Sequence, residues 1–340
     1  YQAGPCRRCI CKYWSNVRSF FASFSKKEEV TTFTDLGVNV SVRVMEADKL
    51  IPGNVLFSDD FNLKTTDGSK VTTVANFDET QHAHVGKGYI DGFTQISSNK
   101  TVMSFAYDHC VRMFDRETNE KLLYAGKCNE MGYADGSVTA RLTYPAAIAR
   151  DMKRPEMLIL LEQRADNGTL RHINTTREQN GVHHVSTLLK PNENLDKPSA
   201  FTQDKNSGDI YITSLNKIYK FVYATKTLVY FIGSEFYEHR DGPFSVASFK
   251  RPRGILFIEN GKKLLVAGDY DYRLRILDLR ISNVSSVGSG YVGHQDGNLF
   301  ECTFNLPYSL LVIGDALYVG EYGGRIRKII GELCRPQPMY

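Results

Sequence analysis

At 340 residues, with 42% hydrophobic and 24% charged side chains, the chain has a globular composition and the length for one large domain or two ordinary ones. A net charge of +4, spread along the sequence, gives no support to a nucleic-acid partner. No apolar run approaches the roughly 18 residues that a membrane-spanning helix needs.

Residues 1–35 read as a Cys-rich extension. Cys6, Cys9 and Cys11 crowd its start, and Trp14, Val17, Phe20, Phe21 and Phe24 follow the spacing of a short amphipathic helix. Its expected role is to cover one end of the fold, with a sticky arm that docks on another molecule as the alternative. The chain opens on Tyr1 rather than Met, and five sequons begin at Asn39, Asn99, Asn167, Asn174 and Asn283. That excess favours an exported, glycosylated chain whose leader has been removed. Seven cysteines agree with an oxidising compartment, and the odd count leaves one thiol free or paired to another chain. Disulfides rank ahead of zinc, because the CxxCxC run lacks a fourth ligand at a readable spacing.

Beyond the extension, the segment VNVSVRVM (38–45) alternates apolar and polar residues as a strand does. Pro52 opens a run followed by LKTT and VTTVANF, and Asp91-Gly92-Phe93 opens another, followed by TVMSFAYD, CVRMFD and KLLYAG. From there the pattern sharpens. Pro145, Pro198, Pro252 and Pro307 each open an aliphatic run, at intervals of 53, 54 and 55 residues. Asp-Gly precedes three of them, as Asp135-Gly136, Asp241-Gly242 and Asp296-Gly297. A second apolar run follows each (MLILLE, DIYITS, KLLVAGD, ALYVGE), then an alternating basic run (TLRHIN, KIYKFV, RLRILDL, RIRKII). In three units a fourth short run closes the set (HVSTLL, TLVYFIG, NVSSVG).

A repeat of this length made of four short strands predicts a blade, since one four-stranded sheet cannot bury both faces alone. The proline suits a strand's first residue, where its missing N–H breaks no ladder. Asp-Gly suits the connecting turn. In Arg273–Asp278 the arginines alternate with Leu274 and Ile276, so one face is expected to pack and the other to be wet. Counting back gives six units, hence an all-β, six-bladed propeller over residues 36–334, with a short tail at 335–340. The last unit has only three strands, so residues 36–46 are expected to supply its outer strand and close the ring, removing an open edge.

The Asp-Gly loop, the Phe-x-x-Pro-x-Gly-Ile start and the RIRK-like third strand resemble NHL repeats, most clearly in Lys250–Asp278 and Asn305–Ile330. The resemblance covers roughly 290 residues and implies the propeller fold. The family's Asn-His-Arg before the third strand is replaced here by Asp271-Tyr272-Arg273 and Gly323-Gly324-Arg325, so a family activity does not carry over automatically with the fold.

In that frame Cys110 starts a third strand and Cys128 follows the fourth, which predicts a Cys110–Cys128 disulfide. Cys334 trails the last strand and is expected to pair with Cys6, Cys9 or Cys11. Cys302 is left as the free thiol or a bond to another chain. No P-loop, nucleophile elbow or HExxH is present. His239 and His294 stand at equivalent positions, two residues before an Asp-Gly, and Tyr89 and Tyr133 hold that place in other units. A metal site using them with His109 is weighed against a loop position that tolerates His or Tyr, and the loop reading is favoured. Calcium held by axial carboxylates is disfavoured, because the first strands read as aliphatic. Asp269, Glu321 and Glu162 read as turn caps. The stretch Glu235–Arg240 is the candidate recognition patch, with a buried loop anchor as the alternative, and Tyr89, Tyr133, Phe236, Tyr237, His239 and His294 form the candidate binding face, since Tyr gives contact area at low entropy cost.

The functional expectation is a secreted, glycosylated, non-enzymatic propeller that needs no cofactor, binds a protein or glycan, or builds an assembly through its N-terminal cysteines. The alternative is an extracellular lyase or hydrolase using bound zinc or calcium.

Overall fold

In the computed structural model, residues 29–37, 40–78, 88–163, 167–258 and 261–331 are described. They form six antiparallel sheets of four strands each, two of which gain a two-residue fifth strand at the edge. Blade 2 is typical: Gly92–Gln95, Lys100–Phe105, Cys110–Asp115 and Glu120–Gly126, innermost to outermost. Pro145, Pro198, Pro252 and Pro307 each open the innermost strand of blades 3 to 6. Every innermost strand touches those of both neighbouring blades, and blade 6 touches blade 1, so the ring is closed.

The core is divided accordingly. Six apolar clusters lie one at each blade junction, for example Leu56, Phe93 and Phe105 between blades 1 and 2, and Leu265, Leu274 and Leu317 between blades 5 and 6. Second strands such as Lys263–Gly268 are therefore buried at every position, because both faces meet a neighbour.

Closure comes from the N-terminus, through a different segment from the one expected. Glu29–Asp35 pairs with Arg325–Ile330 as the outer strand of blade 6. Val42–Ala47, expected there, is instead the innermost strand of blade 1, paired with Val55–Asp59. Blade 1 needs an axial strand as the others do, and the unit counted from Pro52 had none; Pro52 lies in the turn between its first two strands. The ring thus begins at or before Glu29, and residues 29–35 belong to it and not to the extension. The rest of that extension, Asn39, Cys334 with its N-terminal partners, and the tail lie outside the described residues.

The expected wet face of the third strand is dry. Arg171, Arg275 and Arg327 are all fully buried. Each sets its two Nη groups between two acids and two carbonyl oxygens, while Nε is bonded in Arg275 and has no hydrogen-bond partner in Arg171 and Arg327. Arg275 donates from Nη2 to Asp241 (2.8 Å) and the Arg240 carbonyl (2.9 Å), and from Nη1 to Asp271 (3.0 Å) and the Ser248 carbonyl (2.9 Å). Arg171 pairs with Asp135 (2.7 Å) and Glu162 (3.2 Å), and Arg327 with Asp296 (2.7 Å) and Glu321 (3.4 Å). The Asp of each Asp-Gly is therefore a ligand for a buried guanidinium. The same Asp holds the outermost strand, accepting from Thr187 N (3.1 Å), Ser286 Oγ (3.0 Å) and Thr32 N (2.9 Å). In blade 6 that outermost strand is the closing segment, so Asp296 joins the two ends of the ring. The following glycines take positive φ, as in Gly242 at 123°. Lys64 with Asp59 and Arg112 with Asp108 repeat the pairing in blades 1 and 2.

Cys110 and Cys128 form the expected disulfide, with Cα atoms 4.9 Å apart. Cys302 is a free thiol sealed in the junction of blades 5 and 6, where burial pushes its pKa up to about 12, so it is closed to another chain.

Two stability predictions follow from this. Arg327→Ala strands two carboxylates and should cost about 3–5 kcal/mol in urea unfolding, against about 0.5 kcal/mol or less for Arg154→Ala in an exposed pair. Replacing Cys110 and Cys128 together by Ser opens an 18-residue link and should cost about 3 kcal/mol in the same measurement.

Candidate functional site

The innermost strands begin with a shared irregularity. The register slips between Pro145 and Ala147, Pro198 and Ala200, Pro252 and Ile255, Pro307 and Ser309, and Val42 and Met45. Such a bulge leaves a residue out of the ladder and re-aims its side chain. Here it supplies Arg43, Ala146, Ser199, Arg253 and Tyr308, and Asp91 takes the corresponding place just ahead of Gly92 in blade 2. All six line one cavity of about 320 Å³ at the mouth of the central channel. The channel beneath narrows to about 140 Å³ and is lined by the small and aliphatic residues that follow, such as Gly92, Ile148 and Ala200.

A second tier surrounds this ring: Tyr107, Tyr144, Gln163, Arg251 and Tyr322. Tyr107 and Tyr322 are nearly half exposed. Tyr144 and Arg251 precede the blade prolines and take positive φ, 47° and 51°, as do Lys197 and Leu306 in the other two blades. That conformation is disfavoured for any residue before proline. It is held by hydrogen bonds from the second strand: Gln163 N to the Tyr144 carbonyl (2.9 Å), and Tyr322 N to the Leu306 carbonyl (3.0 Å).

The charges at the mouth are paired. Arg43 Nη1 donates to Asp91 (2.9 Å), its Nε lies 3.6 Å from Asp60, and its guanidinium covers the Tyr89 ring at 4.7 Å. Arg253 Nε meets Asp269 (3.2 Å), and its guanidinium lies 5.2 Å from the centre of the Tyr308 ring. Burial pushes the Asp91 carboxyl up to about 6 in spite of Arg43 beside it, and raises Asp60 and Asp269 in the same direction.

Of the residues expected to form a binding face, the structure brings two near this mouth. Tyr89 stacks on Phe61 beneath Arg43, and Tyr237 approaches it through Tyr270, which Arg251 covers at 5.1 Å. The others stand over separate blades. Tyr133 covers Arg171 at 4.7 Å, His239 Nδ1 bonds Asp271 Oδ2 (3.0 Å), and His294 Nδ1 bonds Glu321 (3.0 Å). Phe236 is 71% exposed beside a separate hollow lined by Glu238 and Val246. His109 accepts from Tyr144 N (3.3 Å). The three histidines weighed for a metal therefore belong to three blades, and among the described residues no group of three His, Cys, Asp or Glu could hold an ion. Glu162 and Glu321 do cap turns, accepting from Thr143 N and Asn305 N (both 3.0 Å), besides pairing with arginine. Asp151, near a strand end, is enclosed by His172, Tyr223 and Gln203.

Four sequons fall on described residues. Asn99 lies between the first two strands of blade 2, Asn167 just before the third strand of blade 3, and Asn283 opens the outermost strand of blade 5. Asn174 sits inside Gly168–Gln179, which runs on past it.

The axial residues were missed because the first strands read as aliphatic. The signal was the residue directly after each blade proline, which is Arg253 and Tyr308 in the two clearest units.

No family model matches the chain, and no curated protein matches it, so the resemblance to NHL repeats is not confirmed beyond the fold. Among solved structures, an auxiliary nutrient binding protein from Bacteroides thetaiotaomicron superposes with a TM-score of 0.68 at 15% identity, covering 90% of this chain and 77% of that one. One of the same description from Bacteroides ovatus gives 0.65 at 14%, covering 90% and 77%. Streptogramin B lyase gives 0.54 at 12%, covering 90% and 98%. Identities this low establish the six-bladed propeller fold and nothing finer.

The Asp91 carboxyl gives a pH prediction. Its folded pKa, near 6, exceeds the ordinary value of about 3.9, so between pH 4 and 6 the folded chain holds the extra proton. Its contribution to stability should fall as pH rises through that window, by up to about 1.4 kcal/mol per pH unit. Thermal unfolding from pH 4 to 7 should show this component in the parent chain and lose it in Asp91→Asn.

Proposed function

We propose that the chain is an extracellular, non-enzymatic binding propeller that takes a glycan at the axial mouth. One observation carries this reading: five blades contribute a bulged residue to one cavity, ringed by Tyr107, Tyr144, Tyr308 and Tyr322 with Gln163 and Ser199 between them. Tyrosine rings offer flat apolar area with a hydroxyl at the edge, and neutral side chains give donors and acceptors for sugar hydroxyls. The volume sits at the lower end of the roughly 300–1,000 Å³ usual for small-molecule sites. The carboxylates at the mouth, Asp91, Asp60 and Asp269, each have an arginine within 3.6 Å, which opposes their use as a free general base. Structural neighbours described as nutrient binding are consistent with a binding role. Export and glycosylation rest on the sequons and on the disulfide, which persists in oxidising compartments.

The alternative, a metal-dependent lyase or hydrolase, draws on the likeness to streptogramin B lyase. Both readings meet one experiment. The purified chain should bind members of an oligosaccharide panel and return them unchanged in mass, with no stoichiometric zinc or calcium by elemental analysis. Tyr322→Ala should weaken the binding about tenfold, or about 1.4 kcal/mol. Cleaved oligosaccharide, or an equivalent of metal, would replace this reading with the enzymatic one.

A further inference from the structure

The mouth is chemically lopsided. In ring order Arg253, Tyr308 and Arg43 stand on three consecutive blades, and Ala146 and Ser199 face them from blades 3 and 4. The small pair leaves room; the arginines bring charge. Their ion pairs leave donors over. Arg253 meets Asp269 through Nε, and no hydrogen bond to its two Nη groups is made among the described residues. Arg43 commits Nη1 to Asp91, and its Nη2 makes no such bond. Both side chains are mostly enclosed, 14% and 17% exposed; the buried Arg43 Nε has no hydrogen-bond partner, and the uncommitted Nη groups are the parts that stay accessible at the cavity. A cationic N–H group that faces a confined cavity without a protein acceptor is a ready donor to an anion that enters it.

Building on the glycan reading, we propose that the ligand is an acidic glycan whose uronate carboxylate is held by the outer nitrogens of Arg253 and Arg43 above the Tyr308 ring. A guanidinium presents parallel N–H groups that match the two oxygens of a planar carboxylate. On a hexuronate the carboxyl is attached directly to the sugar ring. A carboxylate seated between the arginines therefore lays its own ring toward the Ala146 and Ser199 side, and Tyr144, Tyr107 and Tyr322 line the walls. Asp91 occupies one arm of Arg43 as an internal counter-ion and leaves the other arm to the ligand. A neutral sugar fills the same space and its hydroxyls can accept from the Nη groups, but it brings neither the counter-charge nor the paired oxygens of a carboxylate.

The test is calorimetric titration of the whole chain with digalacturonate and with the same disaccharide after its carboxyls are reduced to alcohols. The parent should bind the acid at least tenfold more tightly, and raising NaCl from about 0.1 to 0.5 M should weaken the acid alone. Arg253→Gln should abolish the preference, and Arg253→Lys, which keeps the charge but not the fork, should retain part of it. Equal affinity for both disaccharides, with Tyr322→Ala still weakening both, would overturn the acidic-ligand inference and leave the glycan site standing. A preference that survives Arg253→Gln would overturn the placement of the carboxylate. Binding of neither disaccharide would overturn the inference, and failure of the whole oligosaccharide panel would take the glycan site with it.

Discussion

A guanidinium sealed inside a β-sheet must find acceptors for its N–H groups, and three blades of this propeller meet the two Nη groups in the same way, though Nε of Arg171 and Arg327 is left without a partner. Arg171, Arg275 and Arg327 each span from an acid near the end of the second strand to the Asp of an Asp-Gly loop; the loop Asp also binds the outermost strand, and the other acid accepts from a backbone N in Glu162 and Glu321 and faces His239 in Asp271. The burial cost of the ions is offset by geometry, with two carboxylates and two carbonyl oxygens arranged around each pair of Nη groups. The consequence is a blade whose outermost strand cannot drift, since Thr187, Ser286 or Thr32 is tied to the same Asp. In blade 6 this fastens the N-terminal strand to the C-terminal part of the chain, so a local ion pair also serves ring closure. Blade 4 carries Tyr219 where the others carry a cation, paired with Ile212 as Arg171 is with Leu160. One blade can evidently do without.

The period of the fold was legible because sterics impose it. Pro145, Pro198, Pro252 and Pro307 mark strand starts where no N–H is needed, and the runs behind them are long enough to be strands and nothing else. The phase at the N-terminus was not legible. Both Glu29–Asp35 and Val42–Ala47 can form strands, and alternation of residues cannot say which blade a strand joins. That is decided by the requirement that every blade have an axial strand, which becomes visible only when all six are assembled. The wet face was misjudged for a related reason. Alternation separates Arg275 from Leu274 and Ile276 correctly, but whether the second face meets water or a neighbouring loop depends on residues 34 positions away at Asp241. The disulfide was readable because its partners flank a single hairpin, where register alone brings them together.

The axial mouth was hidden by the same regularity that exposed the repeat. A bulge inserts one residue into an aliphatic strand and turns it out of the pattern, and a reading by periodicity treats that residue as noise. The ring Arg43, Asp91, Ala146, Ser199, Arg253, Tyr308 holds five residue types at six equivalent positions. Equivalent positions that hold the fold converge on a few solutions, whereas equivalent positions around a ligand must differ, because the ligand lacks sixfold symmetry.

The two rings are mechanically joined. Glu321 pairs with the buried Arg327 and accepts from Asn305 N; Tyr322, next in sequence, donates to the Leu306 carbonyl; and Leu306 holds the positive φ that precedes Pro307 and the bulged Tyr308. Blade 3 repeats the chain of contacts from Arg171 through Glu162, Thr143 and Tyr144 to Ala146. An unfavourable backbone conformation persists only when its surroundings over-determine it. Here the acid that satisfies the buried arginine also fixes the peptide that aims the mouth residue. The identity of each mouth residue is then free to vary, because its direction is set by the backbone and by groups deep in the blade rather than by contacts of its own.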